Sequence, residues 1–292
     1  MVIESLHAEE ICGFYVNEKM KLVWKIELEL RKKFISVCEK YNLKYYMAGG
    51  SLLGAIRHSG FIPWDDDIDI DMPRDDYNKL LEIAKYEFTD PIFFQTTYTE
   101  QNYVRPHAQI RNSNTTAIVS HEKGLYFNQG IFIDIFPLDS VPTNKIKRYF
   151  HSNILKLLSI ILKAGIMINP VKNPSRLKCL AHYLVMPIFK LFDYKKLFNL
   201  FEDICSRYNN NNKDLPIGEI SFDYRDKCIW PSECFNGVTI KDFMGLKVAC
   251  PIGYDTILKI TFGDYMTPQQ EASYHGNIIF DTEISYKEYL EK

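Results

Sequence analysis

The sequence predicts an α+β fold, and three observations carry that expectation. The stretch "NEKMKLVWKIELELRKKFISVCEKYN" places apolar residues at Val23, Ile26, Leu30, Phe34, Val37 and Tyr41. Steps of three and four make a long amphipathic helix. A period of two then appears in "DDDIDIDMP" and again in "GIFIDIFPLD", the mark of strands with unlike faces. Between these two, a helical stretch is followed by several β-rich ones, so helices and strands are interspersed along the first half of the chain.

Composition sets the frame for the rest. The chain has 292 residues, 46% hydrophobic and 25% charged, enough to bury a full core. Its net charge of -2 offers no global field for nucleic acid, so no nucleic-acid partner is expected. The start "MVIESLHAEE" lacks the basic-then-apolar order of a signal peptide, and no run of about 18 apolar residues occurs. Seven scattered cysteines without a Cys-x-x-Cys pair suit reduced thiols better than disulfides or zinc. Cys228, Cys234 and His275 are too widely spaced for a zinc knuckle. A cytoplasmic protein is the expectation.

After the first helix, "KYYMAGG" reads as a short strand ending in glycines. "SLLGAIRH" reads as a helix with Ser51 as its N-cap. In "DDDIDIDMP", Asp67, Asp69 and Asp71 alternate with Ile68 and Ile70. Pro73 ends that strand, and "RDDYNKLLEIAKY" returns to helix with Tyr77, Leu80, Leu81 and Ala84 on one face. The β-rich stretches "IFFQTTY", "YVRPHAQIRN" with "TTAIVS", and "GIFIDIFPLD" follow. The last puts Asp134 between Phe132 and Phe136, where a carboxylate needs a partner or a metal. From Thr143 to about Tyr208 the chain turns helical, basic and apolar, and from Leu215 it reads as irregular and aromatic-rich. The expected division is a catalytic core over 1–142, a basic amphipathic helical region over 143–212, and a C-terminal region over 213–292 that completes the site.

Seven aspartates fall between Asp65 and Asp76. A solvated acidic run would not be spaced by isoleucines and flanked by Pro63 and Trp64. A calcium loop fails on spacing, because neither start at Asp65 nor at Asp67 places glycine sixth and glutamate twelfth. A catalytic cation fits better. On one strand face, Asp67 and Asp69 would have Cα atoms about 6.5–7 Å apart, close enough to share Mg²⁺ or Mn²⁺ with substrate phosphate oxygens. Asp134 is the candidate third acid, and Asp71, at the strand end, reads as solvated. Gly49, Gly50 and Ser51 lead into a helix whose N-terminal amides suit a phosphate, with Arg57 and His58 adding positive charge.

The order Gly-Gly-Ser, helix, Asp-x-Asp strand and later third acid resembles the polymerase β type of nucleotidyltransferase fold. The longer run "GGSLLGAIRHSGFIPWDDDIDIDMPRDDY" resembles the LicD family, with its Gly-(Ser/Thr)-Leu-Leu-Gly-x-x-Arg-His stretch followed by Ile-Pro-Trp-Asp-x-Asp-x-Asp. "IRNSNTT", "GIFIDIFPLD" and "FGDYMTP" are similar to further LicD segments, so the resemblance touches residues from about 20 to 268. Nothing in 143–212 matches. The implied fold is a polymerase β-like nucleotidyltransferase core with a mixed sheet, carrying a helical insertion and an irregular C-terminal region.

The resemblance implies transfer of a phospho-alcohol, phosphocholine above all, from CDP-choline to a sugar hydroxyl of a cell-surface glycan or its lipid-linked precursor, with release of CMP. Ribitol phosphate, glycerol phosphate and phosphoethanolamine are the alternative passengers. Asp67 and Asp69 match the metal-binding pair, Asp134 the third acid, and Asp65 the first acid of the motif. Gly50, Ser51 and Arg57 match the phosphate side. Arg105 and Arg111, just ahead of Asp134, are candidate phosphate clamps or sheet-edge caps. A choline headgroup calls for aromatic faces. Trp64, Tyr224 and Trp230 are the leading candidates, with Phe222, Tyr254 and Tyr274 beside them. Basic amphipathic helices lie on anionic membranes, so contact of 143–212 with the inner membrane face stands as an expectation beside plain bundle packing. A metal-dependent glycosyltransferase is the rival enzyme, though its Asp-x-Asp would normally follow a long nucleotide-binding half. A carbohydrate- or calcium-binding module is the non-catalytic rival.

Overall fold

The computed structural model describes residues 6–101, 103–123, 125–166, 193–209, 214–269 and 278–291. Tyr274 and His275 lie outside them. After a small hairpin of β1 (Glu9–Ile11) and β2 (Phe14–Val16), the long helix α1 runs over Glu18–Tyr41. Asn17 caps it by accepting from the Met20 amide at 2.8 Å, and Asn42 ends it in the left-handed region with φ 53°. Val23, Leu30, Phe34 and Val37 form its buried stripe, as the spacing predicts, while Tyr41 stays exposed.

The chain then makes β3 (Tyr46–Met47), α2 (Gly49–Arg57), β4 (Asp69–Pro73) and α3 (Arg74–Glu87). Next come β5 (Ile92–Gln95), β6 (Ala108–Asn112), β7 (Thr116–Val119) and the ten-residue β8 (Ile131–Ser140). The expected strand from Asp67 starts only at Asp69. Ser51 is not the N-cap of α2, because Ala48 holds that place and the helix begins at Gly49. The Ser51 hydroxyl instead accepts from the Asp69 amide at 2.9 Å and donates to the Asp67 carbonyl at 3.5 Å. It ties the two aspartates to the first turn of α2.

The central sheet is mixed. Its strand order is β10 (Ile229–Trp230), β9 (Ile217–Gly218), β8, β4, β3, with β6 also on β8 and β5 on β6. β4 and β8 run parallel, in register from Asp69 with Asp134 to Pro73 with Leu138. β6 is antiparallel to β8, with Gln109 opposite Asp134. Ile70, Met72, Ile110, Ile133 and Ile135 join the main core with Leu30, Phe34 and Val37 of α1 and Leu80 and Ala84 of α3. The alternate residues Asp69, Asp134 and Gln109 face the other way.

Beyond β8, the helices α4 (Lys145–Ile166) and α5 (Tyr194–Cys205) enclose a second core. Leu155, Leu158 and Leu162 meet Phe198, Phe201 and Ile204 there, together with Val141, Ile220 and Ile229. Buried Arg74 at the start of α3 locks this unit to the sheet. It pairs with both oxygens of Asp139 and with Glu202 of α5 at 2.6 Å.

The C-terminal region is more regular than its sequence suggests. β9 (Ile217–Gly218) and β10 (Ile229–Trp230) extend the central sheet. β11 (Val238–Phe243) and β12 (Leu246–Pro251) form a hairpin, α6 spans Tyr254–Phe262, and β13 (Ile278–Asp281) pairs with β7. α7 (Tyr286–Glu291) follows. The hairpin turn is Met244-Gly245, with φ values of 51° and 75°. Two positive-φ residues between alternating runs are a two-residue hairpin turn, a signal present in "VTIKDFMGLKVACP".

Candidate active site

The face of the sheet opposite the main core opens into a cleft of about 780 Å³. Asp65, Asp67, Asp69 and Asp134 line it. Carboxylate oxygens of Asp67, Asp69 and Asp134 all lie within 4.8 Å of one another, and so do those of Asp65, Asp66 and Asp67. Burial, then the charges of Asp67, Asp134 and Asp65, push the Asp69 carboxyl well above the ordinary carboxylate range. Such a cluster stays fully ionised only with a cation between the groups.

The sheet's register creates the cluster. Asp69 and Asp134 are neighbours across a parallel pair, so their side chains leave the sheet on one face. The Asp134 amide donates to the Ile68 carbonyl at 2.9 Å. Its carboxylate accepts from Gln109 Nε2 at 2.6 Å, and His107 Nε2 lies 3.2 Å from the same oxygen. The partner that the lone acid required is therefore a buried amide, one residue pair across the ladder.

The two glycines that open α2 make room for acids. A Cβ on Gly49 would stand 2.6 Å from Asp69 Oδ2, and one on Gly50 would stand 2.4 Å from Asp65 Oδ2. Gly49 also has φ +47°. The carboxylates thus lie against the first turn of α2, where the helix dipole favours negative charge. Trp24 Nε1 holds the Asp65 carbonyl at 3.0 Å and fixes the turn that presents this acid.

Asp71 is not solvated. It is 3% exposed and sits beside Glu219, and burial with Glu219 raises its carboxyl well above the usual range. The alternation placed Asp71 correctly on the face of Asp69, but Asp71 is the middle residue of β4 and Glu219 stands against its carboxyl. Glu219 itself, pushed up to about 7 by burial and Asp223, lines the cleft and had no local sequence signal. Glu27 is a second acid that sequence reading missed. It is buried on α1, its Oε2 has no hydrogen-bond partner, and burial with the charges of Asp67, Asp66 and Asp65 raises its carboxyl. A glutamate at the helical spacing of Val23 and Leu30 was the available hint.

Among the candidate phosphate groups, Arg57 lines the cleft, donating to the Tyr265 carbonyl at 2.7 Å and to His58 Nε2 at 2.9 Å. Burial and that neighbouring guanidinium lower the His58 pKa. His58 borders the pocket behind α2 and not the cleft. Arg105 lines the cleft and pairs with Glu122 at 2.6 Å. Arg111 does not reach the cleft. It is 1% exposed and spends its guanidinium on Gln95, on the Gly130 carbonyl and on Gln109 Oε1. Its place is behind Asp134, holding the amide that holds the acid. Arg225 and Lys227 add positive charge to the cleft wall.

Of the aromatic candidates, Trp64 and Trp230 line the cleft, as does Phe222. Phe222 packs on Phe136 at 5.2 Å and on His107 at 5.6 Å. Tyr224 lies away from the cleft, because its hydroxyl binds His151 Nδ1 at 2.8 Å in the second core.

Residues 42–154 match the family described as LicD/FKTN/FKRP, nucleotidyltransferase domain. The chain is 30% identical over 269 residues to the lipopolysaccharide cholinephosphotransferase LicD of Haemophilus influenzae, covering 85% of this chain and 92% of that protein. It is 24% identical over 171 residues to the ribitol 5-phosphate transferase FKRP of mouse and of human, covering 51% of this chain and 34% of each of those.

Proposed function

The chain belongs to the LicD family, and from that premise we propose that it transfers phosphocholine from CDP-choline to a sugar hydroxyl of a cell-surface glycan or its lipid-linked precursor. The enzyme class is that of its relatives, transferases of phosphate-containing groups. The donor, the cation and the acceptor are the proposal. The similarity over most of both chains to a cholinephosphotransferase favours choline as the passenger, and ribitol phosphate, as in the FKRP relatives, stands second.

The observation that carries the reading is the convergence of Asp67, Asp69 and Asp134 in a cleft that Arg57, Arg105 and Lys227 also line. These three acids suit a hard divalent cation such as Mg²⁺ or Mn²⁺, because all offer oxygen and two come from rigid strands. Asp65 stands next to them over the turn of α2. When bound, such a cation would screen the donor diphosphate and the negative charge that develops on departing CMP. The polymerase β-like core, with the donor phosphates against the start of α2, is part of the same proposal.

The chain's own residues supply orientation and proton handling. Ser51 fixes the backbone between Asp67 and Asp69, so both acids hold their aim without substrate. Arg57 and Arg105 place positive charge along the cleft for phosphate oxygens. Trp64 and Phe222 offer aromatic faces to a quaternary ammonium, while Trp230, only 3% exposed, packs in the main core. The acceptor hydroxyl attacks the phosphorus that carries choline, the bond to the CMP oxygen breaks, and Asp134, held by Gln109, accepts the hydroxyl proton.

Calorimetry of CDP-choline with and without Mg²⁺, on the wild type and on Asp69→Ala, tests the reading. Cation-dependent binding that the variant loses supports it. Binding of CMP without CDP-choline sends the passenger to another alcohol, and no cytidine nucleotide binding overturns the donor assignment.

A further inference from the structure

Helix α4 has two apolar faces, and among the described residues only one is packed. His151, Leu155, Leu158 and Leu162 point into the second core. On the opposite side Ile146, Tyr149, Phe150, Leu157 and Ile160 are 68%, 66%, 59%, 58% and 59% exposed. At about 100° per residue these five fall within one arc, facing away from the buried stripe. Solvent-facing positions of a helix are normally polar. Five large apolar side chains in one row are a patch, and a patch of that kind marks a contact surface.

Charge identifies what the surface meets. The segment Lys145–Ile166 carries Lys145, Lys147, Arg148, Lys156 and Lys163 and no acid, in a chain whose net charge is -2. Lys145, Lys156 and Lys163 fall along one border of the exposed apolar row, and Lys147 along the other. An apolar row bordered by lysines fits the headgroup layer of an anionic bilayer, with the stems lying over acyl chains and the ammonium groups among phosphates. A second protein copy would have to bring acids to the same borders. No helix among the described residues is long and apolar enough to cross a membrane. The row therefore fits a helix that lies on the surface.

We propose that the exposed face of α4 docks the enzyme on an anionic lipid surface and so brings the cleft to an acceptor that is itself anchored there. Lys163, at the far end of the border row, also lines the cleft, so docking sets the cleft mouth close to the headgroups. The second half of the proposal rests on the transferase reading above. The first half does not.

Flotation of the full chain with vesicles of phosphatidylcholine, with and without phosphatidylglycerol, tests the docking. Binding to the anionic vesicles is the expected result, with loss in Leu157→Glu and in Ile160→Glu. Both positions are exposed, so neither variant should disturb the fold, and unchanged CDP-choline calorimetry checks that the cleft is intact. Lys145→Gln and Lys156→Gln should each weaken vesicle binding about fivefold. Absence of binding to anionic vesicles overturns the proposal, and so does equal binding to both vesicle types. A dimer that depends on Leu157, without vesicle binding, assigns the face to a second copy and overturns it too. Vesicle binding in a chain that ignores CDP-choline would keep the docking and overturn the choline donor assignment alone.

Discussion

Asp69 and Asp134 are register partners across the parallel β4–β8 pair, and Asp134 sits on its other side opposite Gln109. Like charges directly across a ladder destabilise a sheet. The arrangement therefore costs stability until a cation joins it. Asp69→Asn and Asp134→Asn should each raise the melting temperature of the cation-free protein while lowering transfer ~100-fold or more. Added Mg²⁺ should raise the wild-type melting temperature and leave both variants unmoved. The double variant should be no slower than the worse single one, since the acids act as a unit. Thermal scans with and without Mg²⁺ check the first part, and steady-state rates the second.

Gly50 owes its identity to Asp65. A β-carbon there meets Asp65 Oδ2 at 2.4 Å, and Gly50 has no positive φ to confuse the outcome. Gly50→Ala should displace the acid by a few tenths of an ångström or more and cost ~100-fold in turnover with little change in stability. Gly49→Ala should add about 1–2 kcal/mol of backbone strain, because its φ is +47°. Urea unfolding of the two variants separates the effects.

Arg111 is a structural support and not a substrate ligand. Its replacement strands Gln95, Gln109 and the Gly130 carbonyl in a buried setting. Arg111→Met should cost about 3–5 kcal/mol in urea unfolding. A donor-binding role would instead show as weakened CDP-choline affinity at unchanged stability.

Glu27 is buried with Oε2 unpartnered, and the aspartate charges reach it. Glu27→Gln should stabilise the cation-free protein by about 1–3 kcal/mol, because a neutral amide avoids the cost of burying or protonating an ionisable carboxyl. Chemical unfolding of metal-stripped protein reads this directly.

His151 supplies an acid-sensitive joint between α4 and α5. Its Nε2 donates to the Ile204 carbonyl at 2.7 Å and its Nδ1 accepts from the Tyr224 hydroxyl at 2.8 Å, which is the neutral ring. Burial lowers its pKa below the ordinary 6.5. The unfolded chain therefore binds this proton more readily than the folded one. The stability His151 contributes is whole above about pH 6.5 and fades as pH falls through the folded value. Measured against His151→Gln, the wild-type advantage should shrink as pH falls below about 6.5.

The legible part of this protein was local. Val23, Leu30, Phe34 and Val37 mark α1 by their spacing alone. Ile68 and Ile70, alternating with acids, mark a strand with a buried face, and all six of these are core. The glycine pair, the aspartates and Asp134 were named from sequence because glycine before a helix and acid within an apolar strand are costly choices that need a reason. The Met244-Gly245 turn was equally legible but hidden in an aromatic-rich stretch.

What the chain's order of residues determined was which side chains share a face and which acids are candidates to meet. Which of them meet was decided only by the tertiary structure. Asp134 reaches Asp69 through the β4–β8 register, and a slip of one residue would turn it to the opposite face. Gln109, Glu219 and Glu27 join the site from β6, from the segment after β9 and from α1, with nothing nearby in sequence to announce them. Asp71 and Arg111 looked solvent-facing or ligand-facing and are buried, because Glu219 stands against the first and Gln95, Gln109 and the Gly130 carbonyl engage the second. Periodicity records a residue's direction relative to its own backbone. Burial and partnership depend on what other segments place in front of it, and that is a sum over long-range contacts that no local pattern contains.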